Sequence, residues 1–355
     1  MFLRTPWLVP LLLVIIAALT FVILQQNAAQ QTSNSSQNNS SSSQPSTRPS
    51  VTNANSNSTV TNRKQTAVEF LVIRGAFVVI GKSPDGDSVR FVPDQPALLK
   101  QLKNNSRIEV SRDGSVQLRF EAIDAPELHF GSAAQPLGAK SRDALLRLMG
   151  FTRVTFTPKD TATSSVPERV RGAILSQAAE GNGRPISYVL LEASAGSQRD
   201  GARVKLDNAL LRNTMNDAML RNGLAYYTVY SSTPVEQREY FKAVTLEARN
   251  KRLGVWAVDK TSAFTHETQS DVDKTGQLIL PKLFRRVTSY LQDVGKGKFS
   301  GNLKQWLIAS RDTNIPQDDS VDVAGKRQNL SDLVTVSGSR VQFAGDALEM
   351  VFVEK

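Results

Sequence analysis

Arg119-Phe-Glu-Ala-Ile-Asp124-Ala-Pro-Glu127 is the stretch on which the fold turns. It reads as a strand that ends in a carboxylate, bends through a proline and presents a second carboxylate three residues on. Taken alone, the last four residues read equally well as the capped start of a helix. Upstream, Asp85-Gly-Asp87-Ser88 stands at the entrance to another strand. Alone it is a turn, and it is no EF-hand, because the twelfth loop position is Pro96 rather than Glu.

Outward from these clusters the pattern is β-rich, then helical. Strands are expected at 70–73, 76–80, 88–91, 107–110 and 116–120, with an Asp-Gly hairpin signal at 112–114 between the last two. A helix over 139–149 follows, then strands at 153–157, 170–176 and 186–191. Asp207 is placed to cap a helix ending at Asn222-Gly223. Thr233-Pro-Val-Glu236 offers a capping box for a second helix, to about 251. Strands, an intervening helix and two closing helices indicate an α+β fold around a small closed barrel.

Composition removes several chemistries. The 355 residues include no Cys, so thiolate metal sites, disulfides and cysteine nucleophiles are excluded. His129 and His266 are too few and too far apart for a local histidine metal motif. Lys and Arg number 43 against 33 Asp and Glu, a net charge of +10. The excess lies in 1–67, with four cations and no acid, and in 68–260; residues 261–355 balance at 12 and 12. Polyanions or an anionic membrane surface are the partners this favours.

Residues 7–24 form an uncharged apolar run behind Arg4. As a helix its 18 residues span about 27 Å, close to the roughly 30 Å hydrocarbon core. The run exceeds the apolar length of a secretory signal, and Leu24-Gln-Gln-Asn-Ala-Ala29 is a poor cleavage site. The expectation is an uncleaved transmembrane anchor, with 1–6 cytoplasmic and the rest carried across; a cleaved segment would give a secreted protein. The Gln, Asn, Ser and Thr of 25–66 leave little to bury, so a disordered polar linker is expected there.

The two acidic clusters, in this order, resemble the staphylococcal nuclease (thermonuclease) family. In that family an Asp-Gly-Asp-Thr turn, an Arg five residues ahead of Asp-x-Pro-Glu, and a later Tyr-Gly-Arg make the active site. Here stand Asp85-Gly-Asp87-Ser88, Arg119 ahead of Asp124 and Glu127, and Asn182-Gly-Arg184. Further matches are 216–225 and Leu253-Gly-Val-Trp256, so the resemblance runs from about 70 to 258. It implies a five-stranded OB-type β-barrel with helices over a domain 67–260. It also implies a calcium-dependent endonuclease that hydrolyses DNA and RNA, single-stranded preferred, to 3′-phosphate products.

The resemblance carries roles with it. Asp87 and Asp124, with the backbone carbonyl of Ala125, would hold Ca²⁺; Arg119 and Arg184 would clamp the phosphate, and Glu127 would orient or deprotonate water. Hard oxygen donors suit Ca²⁺, and guanidiniums grip phosphate in bidentate fashion as an ammonium cannot. Ser88 replaces the family's Thr and Asn182 its Tyr. Arg171 rivals Arg184 as the second arginine. Tyr226, Tyr227 and Tyr230 fall where the family places stacking tyrosines, with core packing the competing role. His129 is expected exposed, Glu121 and Asp143 on solvated faces, and Trp256 packing the last helix onto the barrel.

Residues 261–355 carry no legible motif. A short strand from 278 and a helix from Pro281 with Leu283, Phe284, Val287, Tyr290 and Leu291 on its apolar side are expected, with Arg285 and Arg286 on a solvated face and contact with nucleic acid the competing role. Closing strands are expected at 330–336, 341–344 and 348–353, and a polar loop around Asp318, Asp319 and Asp322, with weak cation binding the competing role. The whole reads as a membrane-tethered nuclease acting outside the cytoplasm; the alternative is a catalytically inactive nucleic-acid-binding module of the same fold.

Overall fold

The computed structural model describes residues 68–354, so the expected anchor 7–24 and linker 25–66 lie outside the described residues. Among the described residues no helix is long and apolar enough to cross a membrane. Those residues belong to one compact unit, and 261–354 pack within it.

The barrel is laid down by β1 (Glu69–Val78), β2 (Arg90–Pro93), β3 (Val116–Gln117), β4 (Arg119–Phe120), β8 (Arg169–Ala179) and β9 (Pro185–Leu191). Their order is β3-β2-β1-β8-β9-β4, with β10 (Arg203–Lys205) added to β1. β3 and β4 are one strand interrupted at Leu118, so the sheet starts and ends on the same segment and is nearly closed, a five-stranded OB-type barrel. β4 pairs with β9 in parallel, Arg119 opposite Ile186, and the other pairs are antiparallel. β1 is buried along almost its whole length, on both faces, which matches its near-continuous apolar run. β5 (Ile123–Asp124) leaves the barrel and pairs with β11 (Tyr226–Tyr227). A separate hairpin joins β6 (Arg153–Phe156) to β7 (Ala162–Val166).

Helix α1 (Gly138–Leu148), α2 (Met215–Arg221) and α3 (Val235–Asn250) pack on the barrel. Here the expectations need three corrections. Residues 107–110 form no strand: Val110 is 54% exposed with nothing to cover it, and β3 pairs with β2 instead. The helix expected from Asp207 breaks at Asn213, because the Thr214 side chain caps Asp217 N at 3.1 Å and starts α2 afresh. The capping box at Thr233 does not form; its hydroxyl donates to Glu121 at 2.7 Å.

The remaining chain builds a second hydrophobic cluster onto the first. α4 (Pro281–Gly295) and α5 (Leu303–Ala309) pack with a sheet of β12 (Val229–Tyr230), β18 (Met350–Phe352), β14 (Ser320–Val323) and β15 (Lys326–Asn329). A third sheet holds β13 (Ala263–Thr265), β17 (Arg340–Phe343) and β16 (Val334–Ser337). The expected strand at 330–336 begins instead with a helical turn, Leu330–Leu333, which Asn329 and Asp332 cap reciprocally. β12, within the nuclease-like region, pairs in parallel with β18 near the C-terminus, Val229 opposite Val351. Leu283, Phe284 and Val287 are fully buried in this cluster with Ala133, Tyr226 and Val255 of the preceding region.

Candidate functional site

The turn that carries Asp87 is built by close approach. Asp85 N donates to Ser88 O at 2.9 Å, and Gly86 N to Asp85 Oδ1 at 2.7 Å. A Cβ on Gly86 would lie 2.2 Å from Ser141 Oγ on α1 and 2.6 Å from Ala125 Cβ, so only glycine lets the two acidic clusters touch. Ser88 is buried and donates to Leu118 O at 2.8 Å, tying the turn to the β3–β4 strand. Between β4 and β5 the chain kinks at Ala122, whose φ of 65° is left-handed. That kink brings Asp124 back toward Arg119.

From these constraints an alternating chain of charges follows. Arg119 hydrogen-bonds Asp87 through Nη1 and Asp124 Oδ1 through Nη2, the latter at 3.3 Å. Asp87 Oδ2 also accepts from Ala125 N at 3.2 Å. On the far side, Arg285 of α4 donates to Asp124 Oδ2 at 2.8 Å, to Asp124 Oδ1 at 3.3 Å, and to Glu127 Oε1. Asp124 thus lies between two guanidiniums, its side chain 2% exposed. Gln135 steadies Glu127: it accepts from Glu127 N at 3.1 Å and donates to Ile279 O at 2.7 Å, bridging to the C-terminal region.

The electrostatics follow this order. Burial raises the Asp124 carboxyl, but Arg285 and then Arg119 hold it down at about 2, so it is an anion. Burial pushes Glu127 above the usual carboxylate range, with Arg285 opposing. A base raised in this way binds a proton more readily, which suits proton abstraction. Asp85 is pushed up to about 8 by burial and then by the charge of Asp87 beside it.

Residues 117–258 match the family model of the staphylococcal nuclease homologue. The chain carries a domain of the staphylococcal nuclease family. No curated protein matches the chain. The match begins within β3, whereas the Asp85–Ser88 turn lies ahead of it, in the connection between β1 and β2 of the barrel.

Of the expected site residues of this nuclease-family domain, Asp87, Arg119, Asp124, Ala125 and Glu127 come together. Arg184 does not join them. Although it lies two residues before Ile186, the partner of Arg119, its Nε is held by Glu180 Oε1 at 2.8 Å across the β8–β9 turn. Its rival Arg171 is also elsewhere, paired through both amino groups with Asp94 at 2.5 and 2.7 Å on the outer face. Arg285, which the sequence analysis set on a solvated face, instead hydrogen-bonds Asp124 and Glu127. Arg286 is likewise paired, with Asp319 at 2.6 Å. Asp318 and Asp319 are buried rather than part of an open polar loop, Asp318 receiving Arg311 at 2.7 Å. The available signal was the run Lys282-Leu-Phe-Arg285-Arg286-Val287, where cations interleave with core residues and have no clear polar face.

The other singled-out residues sort plainly. Tyr226 and Tyr227 are core: Tyr226 hydroxyl donates to Asp259 at 2.8 Å and Tyr227 hydroxyl to Arg238 O at 3.2 Å. Tyr230 is half-buried, its hydroxyl accepting from Lys282 Nζ at 3.0 Å. His129 is exposed, 3.1 Å from Asp160. Trp256 stands edge-on to Tyr226, with Arg249 of α3 over its ring. Glu121 is half-buried, accepts from the Thr233 hydroxyl, and burial raises its carboxyl, so it is not on a fully solvated face.

The donor set suits a hard cation in kind, since every donor is oxygen. Among the described residues no hydrogen bond reaches Asp87 Oδ1, and no group of three or more His, Cys, Asp or Glu side chains is placed to hold a metal. A cation there would therefore combine Asp87 and Asp124 with a backbone oxygen, and would share Asp124 with Arg285.

Proposed function

We propose that the domain is a nuclease that hydrolyses phosphodiester bonds of DNA and RNA, acting on single strands with Ca²⁺ as its cofactor. The support is the interleaved row of Asp87, Arg119, Asp124, Arg285 and Glu127 inside a domain of the staphylococcal nuclease family. Asp87, Asp124 and the Ala125 carbonyl are the oxygens that would hold the ion, which when bound neutralises charge on the phosphate. Arg119 binds non-bridging phosphate oxygens, and its grip strengthens as negative charge grows at phosphorus. Glu127 takes a proton from the attacking water. The water oxygen forms a bond to phosphorus, the bond from phosphorus to the 5′ oxygen breaks, and that oxygen leaves as a hydroxyl after taking a proton from solvent. The products are a 3′-phosphate and a 5′-hydroxyl.

In the same proposal, 7–24 anchors the chain and the catalytic domain works outside the cytoplasm, where Ca²⁺ is abundant and the cell's own genome is out of reach. Protease added to intact cells should then remove the domain while leaving a cytoplasmic marker whole; a protected domain would end that part.

The enzymatic test is digestion of single-stranded DNA and RNA by the full chain with Ca²⁺ or with a chelator, followed by end-group analysis. Calcium-dependent release of 3′-phosphate ends is the expected result. Binding without cleavage would favour the inactive nucleic-acid-binding module, and cleavage indifferent to chelator would remove the ion from the scheme.

A further inference from the structure

Given that nuclease reading, we propose that Arg285 is the site's second phosphate-binding guanidinium, so that the C-terminal region supplies part of the active site. Two guanidiniums on neighbouring sides of a phosphate offer more fixed donors than one, and both keep their charge at any working pH. Arg119 and Arg285 share Asp124, which keeps their forks side by side at one carboxylate. Arg171 has both amino groups on Asp94, and Arg184 is held through its Nε by Glu180; neither hydrogen-bonds Asp87, Asp124 or Glu127.

The helix that carries Arg285 is fixed, not loosely laid over the site. Leu283, Phe284 and Val287 are fully buried, Lys282 holds the Tyr230 hydroxyl at 3.0 Å, and Arg286 is bound to Asp319 at 2.6 Å. Gln135 ties the Glu127 loop to Ile279, two residues before the helix starts. A plug that must leave for substrate to enter would need the opposite design, a helix with little buried apolar surface. In this proposal the side chain exchanges a carboxylate oxygen for a phosphate oxygen while α4 stays in place. The guanidinium is also well placed energetically, because a mostly buried charge is worth more to a developing anion than one in water. Its partners explain its present position too: without it, Asp87 and Asp124 would keep Arg119 as their hydrogen-bonded guanidinium and Glu127 would lose its own.

The test compares Arg285→Ala, Arg285→Lys, Arg184→Ala and Arg119→Ala in the full chain, in single-turnover cleavage of single-stranded DNA. Arg285→Ala is expected to slow cleavage roughly 10²-fold or more, comparable with Arg119→Ala. Arg184→Ala should fall at least tenfold less. Arg285→Lys, which keeps a charge opposite Asp124 and so keeps the fold, should still lose about tenfold, since an ammonium lacks the fork. Millimolar guanidinium ion added to Arg285→Ala should restore part of the rate, which a purely structural role for Arg285 would not allow. Arg285→Ala or Arg285→Lys as fast as wild type, or faster, would overturn the proposal and make Arg285 a brake. If the wild type cleaves nothing, the nuclease reading fails separately. The phosphate contact is then read by fluorescence anisotropy on a single-stranded oligonucleotide. Arg285→Lys, and Arg285→Ala where it folds, should bind more weakly, with the salt slope of the Ala protein reduced by about one. Unchanged binding in both would overturn it.

Discussion

The turn that joins β8 to β9 and the helix α4 each bring an arginine toward the mouth of one barrel, and they use it differently. Arg184 finds Glu180 four residues away, with side chains 31% and 22% exposed, so solvent screens the pair and little else depends on it. Arg285 crosses 158 residues of sequence to reach Glu127 and 161 to reach Asp124, whose side chain is 2% exposed. A charge taken out of water in that way is tolerable only with opposite charge against it. The local pair decorates the barrel, whereas the distant pair joins two parts of the chain, and what happens at one end is felt at the other.

Breaking the distant pair should therefore have the largest effect. Asp124→Ala leaves two guanidiniums without their shared carboxylate, and a loss of about 3–5 kcal/mol is expected in denaturant unfolding, with cleavage abolished. A loss under about 1 kcal/mol would mean that Arg119 and Arg285 find water or other partners. Next in size is Gly86→Ala. Its Cβ would lie 2.2 Å from Ser141 Oγ, a hydroxyl already donating to Leu224 O at 2.7 Å, and 2.6 Å from Ala125 Cβ. An expected cost of about 1–3 kcal/mol should come with a displaced Asp87 and slower cleavage, checked by thermal melting and turnover together.

A smaller and pH-dependent change is expected at Glu121. Burial raises its carboxyl in the folded state, with Thr233 and then Arg119 opposing. For an acid raised on folding, the stability present below its unfolded pKa is lost as pH rises through the folded value. Glu121→Gln should therefore gain stability relative to wild type on going from acid to neutral pH, and parallel melting curves across that range would show that Glu121 carries no such penalty. Least of all should follow from the local pair: Arg184→Ala is expected to change stability by under about 1 kcal/mol.

The same contrast explains what could be read in the sequence. Asp87, Arg119, Asp124 and Glu127 sit in short motifs that match those of the nuclease family, so their meeting was legible through the resemblance, while each motif alone read as a turn or a cap. The barrel strands were legible because β1, β8 and β9 are long and apolar. Boundaries that depended on competing side chains were not: Thr214 restarted a helix, and Thr233 preferred Glu121 to a cap. Arg285 was illegible for a deeper reason. Its partners lie far off in sequence, and α4 meets them through tertiary packing, Phe284 being buried with Ala133, Tyr226 and Val255. No local pattern encodes a meeting of that kind.

Glu127→Gln is the most direct test of the account, because it removes the proposed base while nearly preserving shape and leaving an acceptor for Arg285. Turnover of single-stranded DNA in Ca²⁺ should fall by roughly 10²–10⁴-fold with oligonucleotide binding retained. Near-normal turnover in a folded Glu127→Gln protein would contradict the assignment of this cluster as the catalytic site.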